Sequence, residues 1–185
     1  MFNRVKYSNG FPSDQSFFGK YRGKVIDTND PTSRGRLLVS IPAVLGEITV
    51  WAMPCVPYAG DQVGFYSIPP VDSGVWCEFE GGDPSYPIWV GCFWADGQLP
   101  DDSDQNIKIW KTKELTVRLD DNASEILIES SDGAKVVITS EVLSDAGGAN
   151  HTVGGSGVIS DSGGNGKVEV TSASVSVNGN ALEVI

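Results

Sequence analysis

The plainest pattern along this chain is a two-residue alternation that fills its second half. "LTVRLDD", "SEILIES", "AKVVITSEV", "GKVEVTSASVSVNG" and "ALEVI" place valine, isoleucine or leucine at every second position, with Thr, Ser, Glu or Lys between them. Successive side chains of an extended strand point to opposite faces, so this period predicts short strands with one apolar and one polar face. Val117, Leu119, Ile126, Ile128, Val168, Val170, Val175, Val177, Leu182 and Val184 are the candidate core positions of that face. Asp, Asn and Gly break the runs, and the glycine-dense, polar "DAGGANHTVGGSGVISDSGGNG" lies between them.

The first half is patterned differently. "GKYRGKVIDT" and "GRLLVSI" are β-rich runs on either side of "NDPTSRG", whose Asn, Asp, Pro and Gly are turn formers, so they predict a hairpin or meander pair. "ITVWAM", "DQVGFYSI", "GVWCEFE" and "YPIWVGCFW" supply further strands at the spacing of a small all-β barrel or sandwich. Helical periodicity is absent over any length. Trp76, Phe79, Trp89, Phe93 and Trp94 are read as core and barrel-rim residues, with a ligand-stacking platform as the functional alternative.

Composition locates the boundary between the two parts. All ten prolines fall at or before Pro100 and all five tryptophans at or before Trp110, beyond which there is no aromatic ring but that of His151. Residues 1–100 carry 7 Lys/Arg against 10 Asp/Glu, and residues 101–185 carry 6 against 14, within a net charge of −11. That balance argues against nucleic acid as a partner, because backbone phosphates are repelled. The three cysteines, Cys55, Cys77 and Cys92, are odd in number and predict reduced, buried thiols. No run is long and apolar enough for a membrane span and the start has no signal-peptide core, so assembly in the cytoplasm is expected.

The second half poses a packing problem. A single-layer ribbon with one thin apolar face does not recover the conformational entropy of ordering roughly 75 residues. Disorder fits the β-branched alternation poorly, and amyloid-like stacking is open to "SASVSVNGN". Winding with identical copies into a closed β-prism satisfies both the apolar face and the strand edges. A homotrimer is the simplest such form. At about eight residues per strand and about 4.8 Å per strand, roughly 75 residues build a rod on the order of 45 Å.

Several stretches also resemble a known family. "GKVIDTNDPTSRGRLLVSIP", "PYAG", "IPPVDSGVWCEFEGGDPSYPIWVG" and "FW" are similar to the OB-fold domain shared by contractile phage tail baseplate central spike proteins and the VgrG proteins of type VI secretion. The motif positions are Asn29, Asp30, Pro31, Gly35, Arg36, Phe79, Glu80, Gly81, Gly82, Asp83, Pro84 and Gly91. The resemblance is close over residues 17–95 and looser through "IKIWKTKELTVRLDDNASEILIESSDGAKVVIT". It implies an all-β chain with an N-terminal arm (1–16), an OB-fold barrel (17–95), a linker (96–106) and an intertwined trimeric β-helix, a β-prism needle (107–185). It further implies a homotrimeric central spike below a baseplate hub protein, driven through the target cell envelope on sheath contraction. Such a spike belongs to a virion or extracellular injection particle, and the family's PAAR-type tip protein is expected at its C-terminal end. A lysozyme or effector domain, which some relatives carry, is not expected within these 185 residues. The family's valine–any–glycine octapeptide appears at Val153 and Val177 with a spacing that departs from eight residues.

Chemistry has little to hold in this sequence. His151 is the single histidine, and it is an axial metal candidate only if three copies converge; no metal site and no cofactor are predicted. Asp120 and Asp121 are adjacent and so lie on opposite faces of a strand, Asp101, Asp102 and Asp104 read as a solvated linker without EF-hand spacing, and "GGNGK" is not a P-loop. No enzyme is predicted. The alternative is a trimeric receptor- or carbohydrate-binding tail fibre, an OB-fold binding module.

Overall fold

The computed structural model describes residues 7–8, 11–12, 16–100, 104–179 and 181–184, and the chain divides into two compact units, Met1–Gln98 and Leu99–Ile185. Most of the N-terminal arm expected at 1–16 lies outside the described residues.

The first unit opens with β1 (Tyr7–Ser8) paired to β2 (Phe11–Pro12). It then runs through β3 (Tyr21–Asp27), β4 (Leu37–Ser40), the single helical turn α1 (Pro42–Leu45), β5 (Thr49–Pro54), the small hairpin β6 (Ala59–Gly60) and β7 (Val63–Gly64), β8 (Gly74–Phe79) and β9 (Pro87–Phe93). Five of these strands close a barrel in the order β3-β4-β5-β9-β8. All its pairs are antiparallel except β5 with β9, where Met53 opposes Ile88 and Pro54 opposes Trp89. Bulges at Val25/Asp27 and Trp76/Cys77 add the local bending that a tight barrel needs.

Alternation decides what fills this barrel. Val25, Leu37, Val39, Ala52, Val75, Cys77, Phe79 and Trp89 point inward from the strands, and α1 adds Leu45 beside Ile41. Pro42 suits the first helical position because its missing N–H has no partner to lose there. Of the aromatics read as core, Phe79 and Trp89 are buried. Trp76 and Phe93 meet on the outer face at 5.0 Å with their planes inclined at 50°, and the Arg22 guanidinium lies 4.9 and 4.8 Å from their ring centres. Trp94 is exposed.

Two expectations for this unit need correcting. "DQVGFYSI" is not a barrel strand: only Val63–Gly64 pairs, and Phe65 and Tyr66 are exposed. Once β5 reaches β9 directly the barrel is shut, which leaves residues 55–73 outside it. The thiols are all free, but only Cys77 is buried, and burial pushes it up to about 12; Cys55 and Cys92 are exposed.

The second unit is a ten-stranded antiparallel meander. Its strands are β10 (Ile107–Lys111), β11 (Leu115–Asp120), β12 (Glu125–Ser130), β13 (Lys135–Ile138), β14 (Val142–Ala146), β15 (Ala149–Gly154), β16 (Gly157–Asp161), β17 (Lys167–Val170), β18 (Val175–Val177) and β19 (Leu182–Val184), each bonded to the next in sequence. The glycine-dense stretch does not interrupt the sheet. Its glycines make the tight turns of further hairpins: Gly147 and Gly148 join β14 to β15 with positive φ at both, and the Asp145 carboxylate accepts the Gly147 N–H at 2.9 Å.

Every buried apolar residue among those described belongs to the first unit. In the second, only Asp120 is buried, held by Arg118 at 2.7 Å and by the backbone N–H groups of Asn122 and Ala123.

At Gly157 (φ +141°) the backbone passes so close to β17 that a Cβ would lie 2.0 Å from the Val170 carbonyl oxygen, where no side-chain motion gives relief. Gly157→Ala is therefore expected to open the β16–β17 pairing. Hydrogen exchange followed by mass spectrometry should show faster exchange over residues 157–161 and 167–170, with the barrel unchanged.

Candidate assembly surface

The motif residues of the barrel have the geometry of a clamp. The β3–β4 loop must reverse the chain within a few residues, and one carboxylate holds it. Asp30 Oδ1 accepts from the Thr32 N–H (3.0 Å) and hydroxyl (2.9 Å) and from Arg36 Nε (3.0 Å) and Nη2 (2.7 Å). Asp30 Oδ2 accepts from the backbone N–H of Arg34 (2.7 Å) and Arg36 (3.2 Å). Six donors share the two oxygens and leave no place for a carboxyl proton, so the group is ionised, and the planar guanidinium fork of Arg36 matches it. The pair is largely buried, with side-chain exposures of 5% for Asp30 and 15% for Arg36, and Arg36 also lies 5.3 Å over the Trp51 ring. The Arg36 bonds, with the Thr32 and Arg34 N–H groups, hold the Asp30 carboxyl far below the ordinary value of 3.8.

The other motif residues support this turn and one more. Asn29 donates both its backbone N–H and its side-chain amide to Asp27 Oδ1, at 2.9 and 2.8 Å, and Pro31 sits in the turn. The Gly35 carbonyl accepts the Trp89 indole N–H at 3.3 Å, which ties the loop to the core. In the β8–β9 connection Glu80–Gly82 forms a 3-10 turn, Asp83 Oδ1 accepts the Ser85 N–H at 2.8 Å with Pro84 between them, and the Gly82 carbonyl accepts the Phe17 N–H at 2.8 Å. Phe79 is core, Gly81 lies within the 3-10 turn, and Gly91 faces Trp76 in the register. These residues brace two turns, and every acidic or basic group among them that forms the clamp is already occupied.

A hollow of about 440 Å³ beside this clamp is lined by Arg34, Pro54, Tyr58, Phe65, Tyr66 and Trp89, among others. Of the linker aspartates, Asp101 and Asp102 lie outside the described residues, and Asp104 is taken by Asn106 N–H (2.8 Å) and the Asn122 side chain (2.7 Å). Among the described residues of one chain, no group of three His, Cys, Asp or Glu side chains could hold a metal ion.

The second unit presents a surface of another kind. Following the register from strand to strand, Leu119, Ile126, Ile138, Val142, Val153, Val158, Val170 and Val175 oppose one another in an unbroken column, and Val184 is the next register partner. A parallel column on the same face runs Trp110, Val117, Ile128, Val136, Ser144, His151, Ser160, Val168, Val177 and Leu182. All ten residues taken from the alternation thus fall in two neighbouring columns of one face. Sequence reading passed over Val136, Ile138, Val142, Val153 and Val158, although "AKVVITSEV" and "GVIS" carried the same alternation; the intervening glycines hid its continuity.

This face is not covered. Leu119, Ile128, Val142, Val153, Val168 and Leu182 are between 40% and 60% exposed. A groove of about 900 Å³ runs along the second column, from Leu115 and Ile128 through His151 to Val177. The opposite face is mixed: it carries charge, including Arg118–Asp120, Lys167–Glu169 at 3.3 Å and the in-register row Glu129, Lys135 and Asp145, beside a half-buried column that includes Ile109, Leu127, Val137, Leu143 and Ile159. His151 stands on the apolar face, with Nδ1 2.8 Å from Ser160 Oγ.

A family model for the type VI secretion system/phage-baseplate injector OB domain matches residues 21–94, which is the span of the closed barrel from β3 to β9. A comparison with curated proteins finds no match. The first unit is therefore similar to a baseplate-type injector OB domain, which supports a spike-related structural role in a virion or injection particle.

The clamp makes a prediction about acid. Because the folded-state pKa of Asp30 is depressed, its contribution to stability is present above about pH 4 and is lost as pH falls further. Asp30→Asn keeps the shape without the charge. It is expected to lower barrel stability at pH 7, with the gap to the native protein narrowing steadily below about pH 4, as read from urea unfolding of the tryptophan fluorescence at a series of pH values.

Proposed function

We propose that this protein is the central spike of a contractile injection machine, a homotrimer whose second units close into a β-prism needle that is pushed through the target cell envelope. The observation that carries the reading is the two-column face, apolar but for one polar stretch, which runs from β11 to β19 in a unit with no buried apolar residue among those described. A soluble protein leaves a surface of that extent bare only where something else covers it. The occupant must present a long, straight, apolar face at the same strand spacing, and a second copy of this chain is such an object.

Strand length favours three copies over two. The strands have three to six residues, and five residues span about 17 Å. Three sheets of that width, set as the walls of a triangular tube, stand about 5 Å from the common axis. That is half of the roughly 10 Å at which apolar sheet faces pack, so valine and isoleucine fill the interior. Two such sheets face to face would bury only the pair of columns on each and leave both flanks open. The opposite faces, which hold the charged rows, then look outward.

Function in this reading is mechanical. The barrel, similar to an injector domain over 21–94, attaches below a baseplate hub protein, and the force of sheath contraction is borne by the prism. The apolar face reaches Leu182, which is 60% exposed, in the edge strand of the sheet, and a PAAR-type tip protein is the partner proposed to cover it.

A carbohydrate-binding barrel is the second reading. It is favoured by the exposed Tyr58, Phe65 and Tyr66 around the 440 Å³ hollow, and glycan binding lost in Tyr66→Ala would carry it instead.

Light scattering on the full chain is expected to give the mass of three chains in a species that resists detergent. Val175→Asp with Val177→Asp places charge on the apolar face and should reduce that species to single chains. Removal of residues 107–185 should leave a folded barrel that is monomeric or weakly associating. A single-chain mass for the native protein overturns the trimer, and a tightly trimeric truncation shows that the barrel drives assembly.

A further inference from the structure

We propose that Ser144, His151 and Ser160 form a polar step that fixes the axial register in which copies of this chain associate; the inference rests on the trimeric reading above. The three residues are consecutive in one column of the apolar face, on β14, β15 and β16. On one side of them the column is Val117, Ile128 and Val136, and on the other Val168, Val177 and Leu182. The neighbouring column, through Val142, Val153 and Val158 on the same strands, has no such break.

An uninterrupted apolar face carries no axial information. Its rungs repeat at one strand spacing, about 4.8 Å, so copies displaced by one or two strands exchange valine for valine at nearly constant free energy. The polar step removes that degeneracy. His151 is tied by Nδ1 to the Ser160 hydroxyl at 2.8 Å, while its other ring nitrogen and the Ser144 hydroxyl have no hydrogen-bond partner among the described residues of the chain. When the face is covered, these groups lose water and must find partners across the axis. In register they meet the serine and histidine side chains of the other copies. A displacement of one or two strands leaves at least one of them against an apolar residue, and a displacement of three or more leaves all three unpaired. A single buried asparagine fixes the register and number of strands in a coiled coil by the same logic, lowering stability while excluding alternatives.

The design is economical in position as well as in number. One step near the middle of ten strands penalises slippage in either direction, whereas a step at one end would be escaped by sliding past it. The apolar columns supply adhesion, and the step supplies alignment.

The test compares the native face with one from which the step is erased, using the full chain. Asp132→Cys, in the exposed β12–β13 turn, provides a spin-label site once the exposed Cys55 and Cys92 are changed to serine. Pulsed electron–electron resonance on this background should give one narrow distance between copies. In the variant carrying Ser144→Val, His151→Val and Ser160→Val, light scattering should still give three chains and the melting temperature should be unchanged or higher. The distance distribution should broaden or split by multiples of the strand spacing. Should the triple variant not assemble, His151→Val alone carries the same comparison, and His151→Asn, which restores a polar side chain, should return the single distance. A narrow distance retained in the valine variants, or lower melting without any loss of register, overturns the proposal. A native protein of single-chain mass instead fails the trimeric reading itself, a separate and separately visible result.

Discussion

A β-sheet one layer thick has two faces and nothing of its own to lay against either. In a barrel the sheet solves this by curling until its inner face covers itself, and the first unit does so with five strands. The second unit stays open, with β10 and β19 at its two edges and no pairing between them. Each later feature follows from that difference. The barrel has a core of Val25, Leu37, Val39, Val75, Phe79 and Trp89, and the meander has two exposed apolar columns where such a core would be. The conformational entropy of ordering the meander has to be offset from outside the single chain.

The barrel motif acts in service of this arrangement and not as a reactive site. Asp30, Arg36 and Trp51 stack a carboxylate, a guanidinium and an indole in sequence, and Gly35 passes the connection on to Trp89 in the core. The effect is a loop whose shape is set by one buried charge pair. Such pairs are poor sources of net stability, because desolvation takes back most of what attraction supplies, but they penalise every alternative geometry heavily. Here the six donors around Asp30 enforce a single conformation of the loop.

Much of this was legible in the amino-acid order, because alternation reports facing directly. The ten apolar positions of the second half share a face for the same reason that they were recognisable, and the β-rich runs around "NDPTSRG" do flank a turn. The failures are as instructive. "DQVGFYSI" alternates as a strand should, yet barrel closure by the β5–β9 pair excludes it, and such a pairing between distant segments leaves no trace in local pattern. The glycine-dense middle looked like a break because glycine signals turns without saying how far apart they lie; the structure sets them close enough for five-residue strands to fit between. Ser144 and Ser160 carry no signal in sequence and His151 stands out only as the single histidine; the register alone brings the three together.

Every strand of the second unit pairs with its immediate neighbours in sequence and with no other. The loops that must be closed are therefore short from first strand to last, and the entropy of closing them never grows as the sheet lengthens. Growth of this kind is a zipper: each hairpin, once formed, offers its free edge to the next stretch of chain, and no distant segment has to be awaited. Long fibrous assemblies are usually slow to fold because their contacts are remote in sequence. A meander escapes that delay, so that under the proposed trimer the one slow event left is the meeting of separate chains.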